Sequence, residues 1–426
     1  MSTRFQAPRG TQDVLPEMQP YWRAVLEQAG EVARLHGFRR IDTPVFELAA
    51  VFEKGSGDTT DVVEKEMYTF TDRGEEHLAL TPEATPAVCR AYLEHGMGSL
   101  PQPVRLYTTK AMFRYDRPQK GRYRQHTQFD CEVLGSADPL VDAEVIEVLW
   151  RLTERLGLRN LEVRLGSIDD PGPRKAYVER LKDYYRPLLE GLSEDSQRRF
   201  ERNPLRLLDS KDERDLAAKA GAPKLVDSLS PEAEAHHRAV QEALAAADIP
   251  FSIDPLLVRG LDYYNRTVFE IVRADDERAQ GTLGGGGRYD GLMELLGGPP
   301  TGGMGFGSGI ERLILEMQQN GIVFEPAAQA DVFIVHRAEG GQAAAFRLAS
   351  EIRSMGIAAQ LGESGRSFKS QLRSANASGA QLAVIIGDDE LRSATAVLKE
   401  LRSEGEQRTV ELADLRRELA VRFGPG

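Results

Sequence analysis

Between Pro20 and His36 apolar residues return at Trp22, Val25, Leu26, Ala29, Val32 and Ala33, a three-to-four-residue spacing that puts one apolar stripe on a helix. Gly37 follows where a helix end favours a residue that takes positive φ, so the pattern predicts a helix with a glycine stop. Further on the period shortens. Leu78 to Leu80, Val104 to Thr108, Gln125 to Leu134 and Thr267 to Val272 are strand-like runs divided by Gly, Pro or charged turns. No long helix alternates regularly with them, which predicts an antiparallel sheet flanked by helices rather than a parallel one. From about Asp170 to Ala247 the composition turns to Leu, Ala, Glu, Arg and Lys, a helical insertion at about residues 170–250, and strand-like sequence resumes at Phe251.

A boundary falls near Glu325 to Gln329, where Pro326 and an Ala/Gln stretch precede a new apolar strand. Strand (Val332 to Val335), helix (Gly341 to Met355), strand (Ala358 to Leu361), helix (Ser367 to Ala377) and strand (Leu382 to Ile386) then predict a compact α/β unit over residues 331–426, after a first domain over 1–325. Acidic and basic side chains balance in the second unit, so the net charge of −12 resides in the first.

Composition narrows the class. With 41% hydrophobic and 28% charged residues the chain is globular. Its apolar runs are far short of the ~20 residues that cross a bilayer, so no membrane association is expected. The opening MSTRFQAPRG has no apolar signal core, and a cytoplasmic location is the expectation. Two cysteines, Cys89 and Cys131, cannot build a disulfide framework or a four-ligand zinc site and are expected as buried thiols. The acidic total argues against a protein that coats nucleic acid. Yet Arg105, Lys110, Arg114, Arg117, Lys120, Arg122 and Arg124 are opposed only by Asp116. That stretch fits either a confined anionic ligand or a solvated charged hairpin.

The chain has no glycine-rich phosphate loop ending in Gly-Lys-Ser/Thr, no paired-histidine zinc helix motif and no Cys-x-x-Cys. His236 and His237 lie in an Ala/Glu-rich helical stretch and are expected on an exposed face. Four segments are harder to explain by packing. TKAMFRYDRPQKGRYRQHTQFDCE (Thr109 to Glu132) is a hairpin able to aim several cationic donors at one anion. GGMGFGSGIERLIL (Gly302 to Leu315) brings bare backbone to a helix start. TPEAT (Thr81 to Thr85) sets Glu83 and Thr85 on one side of an extended segment, where turn or cap duty is the competing explanation. LVRGLDYYNRTVFE (Leu257 to Glu270) and LGGGGRYDGL (Leu283 to Leu292) combine an Arg, adjacent tyrosines and four glycines. Tyr and Arg require polar partners and glycine supplies nothing to pack, so a ligand pocket is the better account.

In this order the segments resemble the class II aminoacyl-tRNA synthetases over essentially the whole chain, and the last two resemble the signatures of the histidine-specific family. Pro8 to Pro16 with its helix is similar to motif 1, Lys110 to Gly135 to motif 2, and Gly302 to Leu315 to motif 3. The resemblance implies a catalytic domain on an antiparallel sheet flanked by helices, a helical insertion, and a C-terminal α/β anticodon-binding domain. It implies an enzyme that activates L-histidine with ATP to histidyl-adenylate and pyrophosphate, then transfers histidine to the 3′ end of tRNA(His). Catalytic roles fall to Arg259, Arg114 and Gln128. The histidine pocket is expected from Glu83, Thr85, Gln128, Glu132, Arg259, Tyr263, Tyr264 and Tyr289, and the ATP site from Arg114, Asp116, Arg122, His126 and Arg312. His126 stands where the family often has an aromatic residue on adenine. Arg117, Gln119 and Lys120 are expected at the tRNA acceptor end. Mg²⁺ is implied as ATP's partner, with no tightly held protein metal, and motif 1 implies a homodimer. The rival reading is a non-catalytic, histidine-binding regulatory paralogue serving ATP phosphoribosyltransferase; keeping Arg114, Arg259, Arg312 and the C-terminal unit argues against it.

Overall fold

Helix α1 (Gln19–Leu35) forms where the apolar stripe places it: Tyr21, Val25, Ala29, Val32 and Ala33 are buried. Gly37 follows at φ 75°. In this computed structural model the described residues are 5–57, 60, 62–116, 121–274, 281–324, 328–337, 341–403 and 407–424. They divide into two compact units, Met1–Phe324 and Glu325–Gly426.

The first unit has strands β1 (Arg39–Arg40), β2 (Phe46–Leu48), β3 (Thr69–Thr71), β4 (His77–Leu80), β5 (Val104–Phe113), β6 (Gln125–Leu134), β7 (Leu161–Ile168), β8 (Phe251–Ile253), β9 (Asn265–Arg273), β10 (Gly284–Arg288) and β11 (Gly303–Gly309). Its further helices are α2 (Ala49–Ser56), α3 (Thr85–Glu94), α4 (Pro139–Arg155), α5 (Pro171–Tyr185), α6 (Glu194–Arg202), α7 (Glu213–Ala220), α8 (Pro231–Ala246), the short α9 (Leu292–Leu295) and α10 (Ile310–Gln319). Eight strands form the main sheet in the order β1-β5-β6-β11-β10-β9-β7-β8, while β2-β4-β3 make a small sheet beside it. The pairings from β5 through β7 are antiparallel as expected. The edge strands β1 and β8 pair in parallel, which the sequence pattern did not indicate.

Strand alternation makes the core. Phe129, Cys131 and Val133 of β6, Met304 and Phe306 of β11, Phe269 and Ile271 of β9, and Val163 and Leu165 of β7 point to one face and meet α1, α4 and α10. Each such fully buried side chain contributes about 1.5–3 kcal/mol. Cys131 lies in this core and Cys89 in the one on the other side, both as free thiols. The insertion is helical between β7 and β8. Within it Asp215 accepts hydrogen bonds from the Ser193 backbone and from the hydroxyls of Ser193, Ser196 and Ser210, a polar clasp standing in for apolar core.

His236 and His237 correct the expectation of an exposed face: both are buried, at 5% and 6% exposure. For His236 the cause is the side chain at the end of the four-glycine strand. Arg288 and Asp142 of α4 pair with no exposure of either side chain. Arg288 also donates to Asp290 at 2.9 Å and to the Ser136 carbonyl at 2.7 Å, and His236 Nε2 reaches the same Asp142 at 2.7 Å. An Ala-rich helix therefore turns its histidine inward, because a buried carboxylate needs every donor it can get.

In the second unit the strands are β12 (Val332–His336), β13 (Ala359–Leu361), β14 (Leu382–Ile386), β15 (Thr395–Glu400) and β16 (Arg408–Glu411). Its helices are α11 (Gly341–Ser354), α12 (Phe368–Ala377), α13 (Asp388–Ser393) and α14 (Leu412–Phe423). The sheet order is β13-β12-β14-β15-β16, with the first three parallel and the last two antiparallel additions. α11 and α14 pack on one face and α12 on the other.

Removing one member of a buried pair strands the other charge. Arg288→Met is expected to lower unfolding free energy by about 3–5 kcal/mol in urea titrations; a loss under 1 kcal/mol would show that Asp142 is satisfied by His236 alone.

Candidate active site

The face of the sheet opposite the core carries chemistry. Along β6 the alternate residues His126, Gln128, Asp130 and Glu132 point away from Phe129 and Cys131. Register sets Gly305 of β11 opposite Glu132 and Gly307 opposite Asp130, and then Gly287 and Gly285 of β10 opposite those two. Four glycines thus make a floor without side chains, and neighbouring groups lie over it. A Cβ at Gly305 would strike the Glu132 carboxylate, and one at Gly307 the Gln128 amide. At Gly287 it would come within 2.9 Å of the Tyr264 ring, and at Gly285 within 3.0 Å of the Arg259 guanidinium.

Above this floor is a cleft of about 310 Å³, open to solvent, whose walls include Arg114, Asp116, Arg122, His126, Gln128, Arg259 and Arg312. That is within the range of small-molecule sites, at its lower end. Each cation is fixed from behind. Arg114 Nε donates to the Pro82 carbonyl at 2.7 Å, Arg312 Nη1 to the Thr282 carbonyl at 2.7 Å, and Arg122 lies 3.3 Å from Asp116. Arg259 pairs with Glu270, whose other oxygen accepts from Thr282 Oγ1 at 3.1 Å. Burial works most strongly against the Arg259 charge, but Glu270, Tyr264 and Asp209 together outweigh it and hold the guanidinium pKa above its ordinary value. His126 is pushed down to about 4 by burial and by Arg114, so its imidazole is neutral at pH 7.

Beside the cleft a buried cluster brings together the other expected residues. Tyr263 Oη donates to Glu83 at 2.9 Å, and Ser56 donates to the other Glu83 oxygen. Thr85 Oγ1 donates to Glu132 at 2.6 Å, and Tyr289 donates to its second oxygen. The Tyr263 ring lies 4.6 Å from Tyr264 and 5.6 Å from Tyr289, centre to centre. Burial raises the pKa of both Glu83 and Glu132. Two carboxyls in an aromatic wall suit a cationic or N–H-rich ligand.

The basic hairpin is only partly a phosphate site. Arg114 and Arg122 face the cleft, whereas Lys110 Nζ turns to Thr43 Oγ1 (2.9 Å) and the Pro44 carbonyl (2.7 Å); burial lowers its pKa to about 8. Arg105 pairs with Glu144 at 2.7 Å, and the Arg124 guanidinium lies 3.6 Å from the Tyr115 ring centre. Arg117, Gln119 and Lys120 lie outside the described residues. Two cleft residues were not anticipated. Glu311 accepts the Thr127 backbone N–H at 2.8 Å, taking over where β11 stops pairing with β6, and Glu270 anchors Arg259. Glu311 follows the glycine run, which could have marked it; nothing near Glu270 signals its partner.

Comparison with known proteins agrees with this geometry. A family model described as histidyl-tRNA synthetase matches residues 10–169 and 180–313, and one described as an anticodon binding domain matches residues 329–422. A histidine–tRNA ligase of Dehalococcoides mccartyi is 48% identical over 96% of this chain and 98% of its own length. The apo histidyl-tRNA synthetase crystal structure from S. aureus superposes with a TM-score of 0.81 at 36% identity, covering 98% of this chain and 100% of that one. A Bacillus halodurans protein described as an ATP phosphoribosyltransferase regulatory subunit/histidyl-tRNA synthetase shares the fold, with a TM-score of 0.64 at 22% identity over 91% of this chain and 99% of that one.

Burial pushes the Glu311 carboxyl up to about 7. A folded-state pKa above the unfolded value of about 4.3 means a stability contribution present below pH ~4 and lost as pH rises through about 7. Glu311→Gln removes that loss while its amide oxygen still accepts the Thr127 N–H. Relative to the parent, the variant should therefore gain on the order of 1 kcal/mol between pH 5 and pH 8 in denaturant titrations; a pH-independent difference would contradict the assignment.

Proposed function

The chain belongs to the histidyl-tRNA synthetase family and is an ATP-dependent ligase of histidine and tRNA; we propose that histidine is activated over the glycine floor, with Arg114 and Arg259 on the α-phosphate. What supports this most is the convergence of Arg114, Arg259, Arg312, His126 and Gln128 on one cleft beside the Glu83/Glu132 cluster. Attack of the histidine carboxylate builds negative charge on phosphate oxygens, and two guanidinium groups held by Pro82 and Glu270 meet that charge without reorganising. The attacking carboxylate is already ionised at neutral pH, so no general base is required. Mg²⁺ enters with ATP, bound mainly by phosphate oxygens and water.

Arg312 and the neutral His126 ring are assigned to adenine, with Asp116 near its amino group and Arg122 toward the phosphates. Glu83, Thr85, Gln128 and Glu132 are assigned to the α-amino end and pocket wall, and Tyr263, Tyr264 and Tyr289 to the imidazole side. A pocket that hydrogen-bonds imidazole rejects side chains that leave its buried groups unpaired, by a factor on the order of 10⁴ or more. The acceptor end of tRNA(His) is assigned to the hairpin around Arg117, Gln119 and Lys120, and the anticodon to the second unit, as single-stranded features that side chains read well. A homodimer through the motif 1 region and a cytoplasmic location complete the reading. No helix among the described residues is long and apolar enough to cross a membrane. The regulatory reading is not favoured, because the near-full-length relative is a ligase and Arg114, Arg259 and Arg312 are all in place in the cleft.

ATP–pyrophosphate exchange by purified protein should proceed with histidine alone among the twenty amino acids. Exchange with none of them, in folded protein, would sink the proposed activation chemistry. Arg259→Lys keeps a cation beside Glu270 but loses the planar fork, and should lower kcat of exchange by about 10²-fold with a smaller change in KM for ATP.

A further inference from the structure

Three successive inward residues of β6 are joined head to tail. His126 Nε2 lies 3.3 Å from Gln128 Oε1, and Gln128 Nε2 donates to Asp130 Oδ1 at 2.5 Å. Asp130 is 2% exposed, its Oδ2 has no hydrogen-bond partner, and it has no place in the reaction as assigned above. We propose that Asp130 is a positioning residue for histidine activation: its carboxylate fixes which way the Gln128 amide points, and through that amide which nitrogen of His126 carries the proton. The inference rests on the assignment of Gln128 to the histidine pocket and His126 to the ATP site, which the row would couple.

The argument is one of donors and acceptors. An ionised carboxylate only accepts, so Gln128 must offer it the NH₂ end and present Oε1 to His126. The neutral imidazole has one N–H, and the Gln128 oxygen draws it toward Nε2. A protonated Asp130 can donate instead. The amide then reverses, its NH₂ meets His126 Nε2, and the ring proton moves to Nδ1, for which the Tyr123 backbone stands ready as acceptor. The proton on Asp130 comes from water and returns to it, and the ring changes tautomer without net gain.

The surroundings place this change in the working pH range. On β5, Thr108 stands opposite Asp130 and Lys110 opposite Gln128; the Lys110 ammonium, held by Thr43 and Pro44, favours the charged form of Asp130. On β11 the neighbours are glycines. Arg114 from the end of β5 favours the charged form, and Glu83 ahead of α3 and Glu132 on the same strand oppose it. Burial dominates and carries the Asp130 carboxyl up to about 7.

Two measurements on the full chain test this. The first is kcat/KM for histidine in ATP–pyrophosphate exchange at pH 6 and pH 8, for the parent and for Asp130→Asn, whose amide oxygen accepts from Gln128 at either pH. The substrate's own titration cancels in the parent-to-variant ratio, which should fall about threefold or more from pH 8 to pH 6; a flat ratio overturns the proposal. The second does not depend on catalysis or on the variant folding. In parent protein with ¹⁵N-labelled histidine side chains, the His126 resonances, identified by their loss in His126→Phe, should shift from the Nε2–H pattern at pH 8 toward Nδ1–H at pH 6. A tautomer that does not change with pH overturns it as well. Absence of exchange in the parent would refute the activation reading instead, and the tautomer readout would still stand.

Discussion

The catalytic unit depends on a strip of sheet that has no side chains. With Gly285, Gly287, Gly305 and Gly307 side by side on β10 and β11, the space where side chains would rise is filled by groups reaching in from elsewhere. Glu132 and Gln128 come from β6, and Arg259 and Tyr264 from the segment before β9. Each glycine weakens a strand on its own. On its other face β11 carries Met304, Phe306 and Ser308, where the core against α4 and α10 compensates, while β10 has Gly284 and Gly286 there too, Gly284 covered by Leu149 and Ser308. A bare floor of this kind depends on neighbouring residues to fill the opposite face: β11's own side chains, and Leu149 and Ser308 over β10.

That arrangement makes the electrostatics of the cleft a matter of what each charge rests against. Arg114 and Arg312 are held by carbonyl oxygens, Arg259 and Arg122 by carboxylates. Carbonyls orient a guanidinium without neutralising it, while a carboxylate does both. The cluster of Glu83 and Glu132 is the inverse case, carboxyls held by Ser56, Thr85, Tyr263 and Tyr289 hydroxyls. Neutral donors satisfy the oxygens and leave the charge for a cationic ligand to complete.

Much of this was legible in the sequence, for identifiable reasons. The helical period gave α1 and its glycine stop, and alternation gave β6 residue for residue, because both signals are local. The cleft arginines Arg114, Arg259 and Arg312 were gathered by the resemblance to the family, which assigns them to one site. What stayed hidden was pairing at long range. Lys110 reads as one more cation of a basic hairpin until Thr43 and Pro44 close on it. His236 reads as an exposed helix residue until Asp142, 94 positions away, proves to be buried beneath it. The antiparallel strands β15 and β16 carry mixed burial rather than an apolar run, which is how an edge of a sheet escapes pattern reading.

The pairing of Arg259 with Glu270 shows why such partners belong to the chemistry as well as to the fold. A buried guanidinium with no anion beside it would be costly, and one tied fully to a carboxylate would have little attraction left for phosphate. Glu270 is itself shared, since its second oxygen accepts from Thr282 Oγ1, and the Thr282 carbonyl holds Arg312. One residue therefore supports both arginines from behind. In the proposed activation step, negative charge growing on the α-phosphate would compete with Glu270 for Arg259, and the attraction would strengthen as the reaction advances. An interaction that is weak toward the bound substrate and strong toward the developing charge is the kind that lowers a barrier rather than merely tightening binding.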